Sequence, residues 1–311
     1  MKPLVSILMP TYNHEKYISQ AIESALAQKT KYDWDLLIND DCSTDNTRKI
    51  AQEYADKYSE KIKLIYPETN QGLIKSYKRL LEIAQGKYIA ILESDDLWIS
   101  EEKLEKQVSF LEENEEYGLV AGNIITIDSN GKTLKDSNIN ENFKTTNNWY
   151  SLFLTEGLIG ACSVVFRKDI FDKYCNIDYF IEKKFQTFDI GTWLIISANS
   201  KCKYLTDDIY AAYRISGSSI SNSSSYEKYK SFYENCYFIR NSIIQTYGYG
   251  NKNKEELDNH NYLQLMGIAI KFHQQKDFCF FAKKFFPKNS KQFFMKYFSN
   301  LYYFQFTKRH K

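Results

Sequence analysis

The chain has 311 residues, 43% of them hydrophobic, with a formal net charge of +2. That composition fits a folded globular protein with one large domain and an appendage, or two domains of ordinary size. Six cysteines (Cys42, Cys162, Cys175, Cys202, Cys236, Cys279) share no C-x-x-C spacing, which disfavours a zinc site and a disulfide framework and fits a reducing cytosol. No stretch reaches the roughly 18 apolar residues that span a bilayer, and the N-terminus lacks the apolar core of a secretory signal. The four histidines (His14, His260, His273, His310) are dispersed, so each reads as a surface or packing residue.

In chain order, Leu4 to Met9 reads as a buried strand ended by Pro10, and Tyr17 to Gln28 as a helix with Ile18, Ala21, Ile22 and Ala25 at helical spacing. The alternation repeats: a strand at Asp35 to Asn39 and a helix from Thr44 to Tyr58, then a strand at Ile62 to Tyr66 and a helix from Leu73 to Ala84. Tyr88 to Leu92 closes the series as a fourth strand. Short apolar runs alternating with helices predict βαβ crossovers and an α/β fold with a mainly parallel sheet. A helix containing Leu104, Val108 and Leu111, a strand from Gly118 to Ile127 and a turn at Asp128 to Gly131 follow. Beyond them, 138–148 reads as loop, 163–167, 203–205 and 209–214 as strands, 190–198 as a helix, and the Ser-rich 216–225 as a linker.

Three strand ends carry the chemistry. Glu93-Ser94-Asp95-Asp96 crowds three carboxylates directly after the fourth strand. Such crowding suits a divalent cation holding a phosphate at the carboxyl edge of the sheet, although Ser and Asp are also ordinary helix caps. Pro10-Thr11-Tyr12-Asn13 follows the first strand and Asp40-Asp41-Cys42-Ser43-Thr44-Asp45 the second. If these strands are neighbours, Tyr12 can stack on a nucleobase while Asp41 accepts a hydrogen bond from a ring N–H, as in a pyrimidine. In isolation the Asp40 to Asp45 segment reads more simply as a helix cap, and Tyr12 as an exposed loop residue. There is no G-x-x-x-x-G-K-[ST] loop and no G-x-G-x-x-G turn, so a P-loop NTPase and a dinucleotide dehydrogenase lose their main support. A metal on Asp95 and Asp96 would hold phosphate instead.

Taken together, Val5 to Asn13, the Asp40-Asp41-x-Ser-Thr-Asp45 turn, Asn70-x-Gly72, the Gly86-Lys-Tyr-Ile run and Glu93-x-Asp-Asp96 resemble family 2 glycosyltransferases of the GT-A fold, over residues 4–120. The resemblance implies an inverting transfer from a nucleotide-sugar, usually a UDP-sugar, of a hexosyl or N-acetylhexosaminyl group. It implies that Tyr12 packs on the base, that Asp41 reads it, and that Asp95 and Asp96 contact ribose and hold Mn²⁺ or Mg²⁺. Glu93 stands where the family commonly has Asp and is a further candidate ligand. Pro10, Thr11 and Asp40 become supporting parts of the nucleotide pocket. By the same resemblance, Asp189 in Phe188-Asp189-Ile-Gly-Thr-Trp-Leu194 is the candidate general base, with Glu182 as a competitor and a plain helix cap as the alternative. Ser163 falls on the family's acceptor-side strand, where a core strand is equally consistent, and Arg214 falls in a loop that closes over the diphosphate.

The domains expected are a GT-A catalytic domain over 1–220, divided into a nucleotide-sugar half (1–120) and an acceptor-side half (121–220), and a helical, aromatic, basic region over 221–311. From Lys276 onward there are nine Lys or Arg, one acid and thirteen Phe or Tyr, against 32 bases and 38 acids before it. The paired aromatics from Phe293 to Tyr302 read as an amphipathic helix for an anionic membrane surface, or as one docked on protein. The function expected is glycan or lipid-linked acceptor glycosylation in bacterial surface-polysaccharide synthesis, in the cytoplasm or peripheral on its membrane, with no nucleic-acid partner. A catalytically inactive glycan-binding or scaffold protein of the same fold, or a nucleotidyltransferase, is the alternative.

Overall fold

The computed structural model describes residues 2–135, 148–155, 159–215, 225–247 and 251–289, with 292, 293 and 296. The chain divides into two compact units, Met1–Ser216 and Gly217–Lys311.

The first unit opens with the predicted alternation: β1 (Val5–Thr11), α1 (Ile18–Leu26), β2 (Trp34–Asp40), α2 (Thr47–Lys57), β3 (Ile62–Ile65), α3 (Leu73–Ile83) and β4 (Tyr88–Ile91). Then come β5 (Leu97–Trp98), α4 (Lys103–Glu113), β6 (Tyr117–Ile127), β7 (Thr133–Lys135), α5 (Trp149–Thr155) and a 3₁₀ turn at Ala161–Ser163. The unit ends with β8 (Val165–Arg167), α6 (Lys168–Tyr174), α7 (Ile177–Glu182), α8 (Asp189–Asn199) and β9 (Lys201–Arg214). Among the described residues these strands form one sheet in the order β3-β2-β1-β4-β8-β6-β9-β5, with β7 beside β6.

The β3-β2-β1-β4 half is parallel, as the βαβ pattern requires. Past β4 the sheet is mixed rather than mainly parallel: β8 runs antiparallel to both β4 and β6, and β9 is parallel to β6 but antiparallel to β5. The two strand pieces expected near 203–205 and 209–214 are one strand, whose register against β6 shifts at Gly122/Asn123 and makes the pattern look interrupted. The expected loop at 138–147 and most of the Ser-rich linker, at 216–224, lie outside the described residues.

The core explains why these segments take these forms. β1 and β2 are buried along their whole length, the mark of central strands covered on both faces. On α1 the buried residues are Ile18, Ala21, Ile22 and Ala25, a single stripe facing the sheet. Truncating Ile22 to Ala there would cost about 2–5 kcal/mol. Gly86 carries a packing constraint: a Cβ would lie 2.4 Å from the Ser6 backbone nitrogen, and its own N–H donates to Ser6 Oγ at 3.0 Å. Glycine at this position lets β4 enter the sheet beside β1.

The second unit comprises α9 (Tyr226–Tyr247), α10 (Asn251–Lys271) and α11 (Gln275–Lys284). Leu265, Met266 and Ala269 of α10 pack with Phe278, Phe281 and Phe285 in its core. Apart from Phe293, the aromatic pairs of the expected amphipathic helix lie outside the described residues. No described helix is long and apolar enough to cross a membrane.

Candidate active site

Parallel pairing puts the ends of β1, β2 and β4 at one edge of the sheet. Thr11 is in register with Asp40, and the Asp41 N–H donates to the Thr11 carbonyl at 2.9 Å, while Leu8 faces Ile91 across β1 and β4. The loops that follow are laced together. Asn13, at φ 56°, accepts the Thr44 N–H at 2.8 Å, and the His14 N–H donates to Thr47 Oγ1 at 2.8 Å. Tyr12 projects from this braced loop with 44% of its surface exposed, so its ring is open to a stacking partner.

Asp41 is buried. Its carboxylate accepts the Gly72 N–H at 2.6 Å and the Gln71 N–H at 3.1 Å, while Asn70 Nδ2 donates to its carbonyl at 2.9 Å. This accounts for the Asn70-x-Gly72 pattern: Gly72, at φ 88°, supplies the left-handed turn that aims two backbone N–H groups at one carboxylate. Asp40 is fully buried and accepts Arg48 Nε at 2.7 Å; Arg48 in turn lies over the Tyr66 ring at 4.4 Å. Pro10 offers its carbonyl to Ser94 Oγ at 3.3 Å, and Thr11 is buried beside it with an unpartnered Oγ1. These three residues brace the edge.

Glu93, Asp95 and Asp96 sit on the turn between β4 and β5, closed by the Asp96 N–H on the Glu93 carbonyl at 3.0 Å. One carboxylate oxygen from each lies within 4.8 Å of the others. Burial and the neighbouring Asp95 push the Glu93 carboxyl up to about 8, and the same causes hold Asp96 well above the usual carboxylate range. Asp96 Oδ1 accepts the Arg214 N–H at 2.8 Å, whereas Asp96 Oδ2 is buried with no hydrogen-bond partner. Among the described residues the only ion-pair partner of the three is His14, whose Nε2 lies 4.0 Å from Asp95 Oδ2. Three oxygens that converge, lack a cationic side chain and include an orphaned buried atom fit a hard divalent cation.

Arg214 serves this turn from below. Its Nε donates to the Asp95 carbonyl at 2.7 Å, one terminal nitrogen to the Asp128 carbonyl at 3.2 Å and the other to Gln20 Oε1 at 3.0 Å, with the guanidinium over the Tyr17 ring at 4.6 Å. It is buried, and these contacts make it a brace of the acidic turn. Ser163 is fully buried in the 3₁₀ turn, and its Oγ donates to the Gly160 carbonyl at 2.9 Å.

Asp189 is the first residue of α8, and its charge is one of the influences that raise the Glu93 carboxyl, after burial and Asp95. Tyr77, which the sequence left unassigned, links the acidic turn to the start of α8. Tyr77 of α3 donates to Glu93 Oε1 at 2.9 Å and stacks on Phe188 at 4.1 Å between ring centroids. Glu182 is exposed at the end of α7 and pairs with Lys183 at 2.9 Å. His14 also belongs to the site: its Nδ1 lies 2.7 Å from Ser94 Oγ. No signal in the sequence separated His14 from a surface histidine, and Tyr77 reads as core because it shares a helical stripe with Ile74, Leu80 and Leu81.

The parallel sheet edge and the acidic turn that follows β4 fit the fold of a glycosyltransferase. The family model for glycosyl transferase family 2 matches residues 6–175, and the chain belongs to that family. It is 33% identical over 248 residues, covering 78% of this chain and 90% of the relative, to UDP-Glc:alpha-D-GlcNAc-diphosphoundecaprenol beta-1,3-glucosyltransferase WfgD of Escherichia coli. Among solved structures, it is similar to S. aureus TarS 1-349 in complex with UDP-GlcNAc (TM-score 0.56, 18% identity, 89% of this chain and 83% of that one). It is likewise similar to the mannosyltransferase PcManGT from Pyrobaculum calidifontis in complex with GDP-Man and Mn²⁺ (TM-score 0.57, 14% identity, 97% and 88%). Both likenesses show the GT-A type of fold.

Proposed function

We propose that the chain is an inverting, cation-dependent glycosyltransferase that moves a sugar from a UDP-sugar to a lipid-linked glycan during bacterial surface-polysaccharide synthesis, at the cytoplasmic face of the membrane. The observation that carries this reading is the Glu93–Asp96 turn, whose three carboxylates converge and whose Asp96 Oδ2 is orphaned, with the charge of Asp189 at the start of α8 acting on Glu93. The GT-A domain is assigned to residues 1–220 and the helical region to 221–311.

In this reading Tyr12 stacks on the base, and Asp41, which fixes the turn at Gln71 and Gly72 and lies 3.7 Å from the Arg79 guanidinium, accepts a hydrogen bond from a ring N–H. Asp95 and Asp96 are the cation ligands, with Asp95 also next to the ribose and Glu93 behind them on the Tyr77 hydroxyl. Mn²⁺ or Mg²⁺ bound there would offset the charge that grows on the diphosphate leaving group. Asp189 accepts the proton of the acceptor hydroxyl as that oxygen attacks the anomeric carbon from the face opposite the diphosphate. One displacement inverts the centre with no covalent intermediate. The share of family resemblance in the donor and acceptor assignment comes from WfgD, whose name states a UDP-glucose donor and a diphosphoundecaprenol acceptor.

The test is to incubate the full chain with a panel of nucleotide-sugars, Mn²⁺ and undecaprenyl-diphosphate-linked GlcNAc, and to follow UDP release and product. Cation-dependent transfer from a UDP-sugar is expected. Donor binding without transfer to any acceptor would favour an inactive glycan-binding or scaffold role, and no cation-dependent nucleotide binding would overturn the reading.

A further inference from the structure

The helical unit presents a face that its own packing does not use. On α11, Phe278, Phe281 and Ala282 turn into the core, with Phe285 just after the helix. The opposite stripe is Lys276, Phe280, Lys283 and Lys284, at i, i+4, i+7 and i+8, and all four are exposed. Phe280 leaves 54% of its surface in solvent and Phe286, two residues past the helix, 78%. The backbone of Phe286 is fixed. Its N–H donates to Asn259 Oδ1 at 2.7 Å and its carbonyl accepts Asn259 Nδ2 at 2.8 Å, so α10 clamps the backbone of a residue whose ring stands outside.

The charges around these rings are mainly positive. Lys284 Nζ lies 4.5 Å from the Phe280 ring centroid, and Lys283 and Lys284 have no carboxylate partner among the described residues. Asp277, the one acid on α11, is turned to Lys230 at 2.7 Å and to the Tyr226 hydroxyl. Lys288 adds a further exposed base, 3.7 Å from Glu256. Residues before 276 carry more acids than bases, so this face concentrates positive charge on an otherwise acidic chain.

We propose that Phe280 and Phe286, with Lys276, Lys283, Lys284 and Lys288, form a docking face for an anionic lipid surface. Rings held clear of the fold enter the headgroup region while the lysines beside them meet lipid phosphates. The contact is superficial; no described helix is long and apolar enough to cross a bilayer. The inference uses none of the donor-site residues and stands whatever sugar or acceptor the enzyme takes.

The experiment is flotation of the full chain with phosphatidylcholine vesicles, with and without phosphatidylglycerol. Binding is expected only to the anionic vesicles and should weaken with salt. Lys283→Glu/Lys284→Glu should lower the partition coefficient by roughly tenfold or more, and Phe280→Ser/Phe286→Ser should do so at low salt as well. Because these side chains are exposed, both variants should keep the parent melting temperature and UDP-sugar turnover in detergent. Parent-like vesicle binding by both variants would overturn the proposal. So would failure of the parent to bind, a concentration-dependent dimer that these substitutions abolish, or preferential retention on single-stranded oligonucleotide.

Discussion

Tyr77 holds Glu93 through a 2.9 Å hydrogen bond from a buried hydroxyl, and the same ring stacks on Phe188, the residue before Asp189. One side chain therefore links the first acid of the turn to the start of the helix that carries the proposed base. Tyr77→Phe keeps the stack and loses the hydrogen bond. It should cost about 1–2 kcal/mol of stability and lower kcat by about ten to a hundredfold with little change in donor KM. Tyr77→Leu also loses the stack, and its kcat should fall further. Steady-state kinetics with both variants check this, and equal kcat in the two would place the effect in the hydroxyl alone.

The acidic turn predicts an unusual pH response in the cation-free protein. Glu93 moves from 4.5 to about 8 on folding, so the native state binds the extra proton between those values. Stability contributed by this group is present below about 4.5 and is lost as pH rises toward 8. Relative to Glu93→Gln, the cation-free parent should therefore lose melting temperature between pH 5 and 8. Saturating Mn²⁺ at pH 8 should raise the parent by several degrees, and Asp96→Asn should gain much less. Differential scanning fluorimetry with and without chelator reads both effects. A parent that gains on Glu93→Gln as pH rises would reverse the sign.

Two glycines separate backbone from packing. A Cβ at Gly72 meets nothing, but its φ of 88° strains any other residue, so Gly72→Ala should cost about 1–2 kcal/mol and weaken UDP binding by loosening the turn on Asp41. Gly86→Ala places a methyl 2.4 Å from the Ser6 nitrogen. That forces β4 away from β1 and should cost about 3 kcal/mol or more. Urea unfolding ranks them, and the packing variant should be the less stable.

The first half of the fold was legible because its signals are local. Ile18, Ala21, Ile22 and Ala25 announce α1, and the continuous apolar runs of β1 and β4 announce strands buried on both faces. Beyond β4, pairing depends on long-range partners: no local pattern tells Val165–Arg167 to run antiparallel between β4 and β6. The site divides the same way. Acids and glycines at strand ends carry their meaning in their spacing. Arg214 resembled a phosphate ligand in sequence, yet the carbonyls of Asp95 and Asp128 claim its guanidinium in the fold. Tyr77 was invisible because a buried tyrosine on a helical stripe looks like core until the partner of its hydroxyl is seen.

In the proposed mechanism the acidic turn binds the donor while Asp189 moves the proton. This mechanism is tested most directly by measuring UDP-sugar affinity by calorimetry in Mn²⁺, alongside single-turnover transfer, for Asp189→Asn and Asp96→Asn. The account predicts that Asp189→Asn binds donor within about twofold of the parent and transfers about 10²–10⁴ times more slowly, whereas Asp96→Asn loses cation-dependent binding. Full transfer rate in Asp189→Asn, or unchanged cation-dependent affinity in Asp96→Asn, would contradict it.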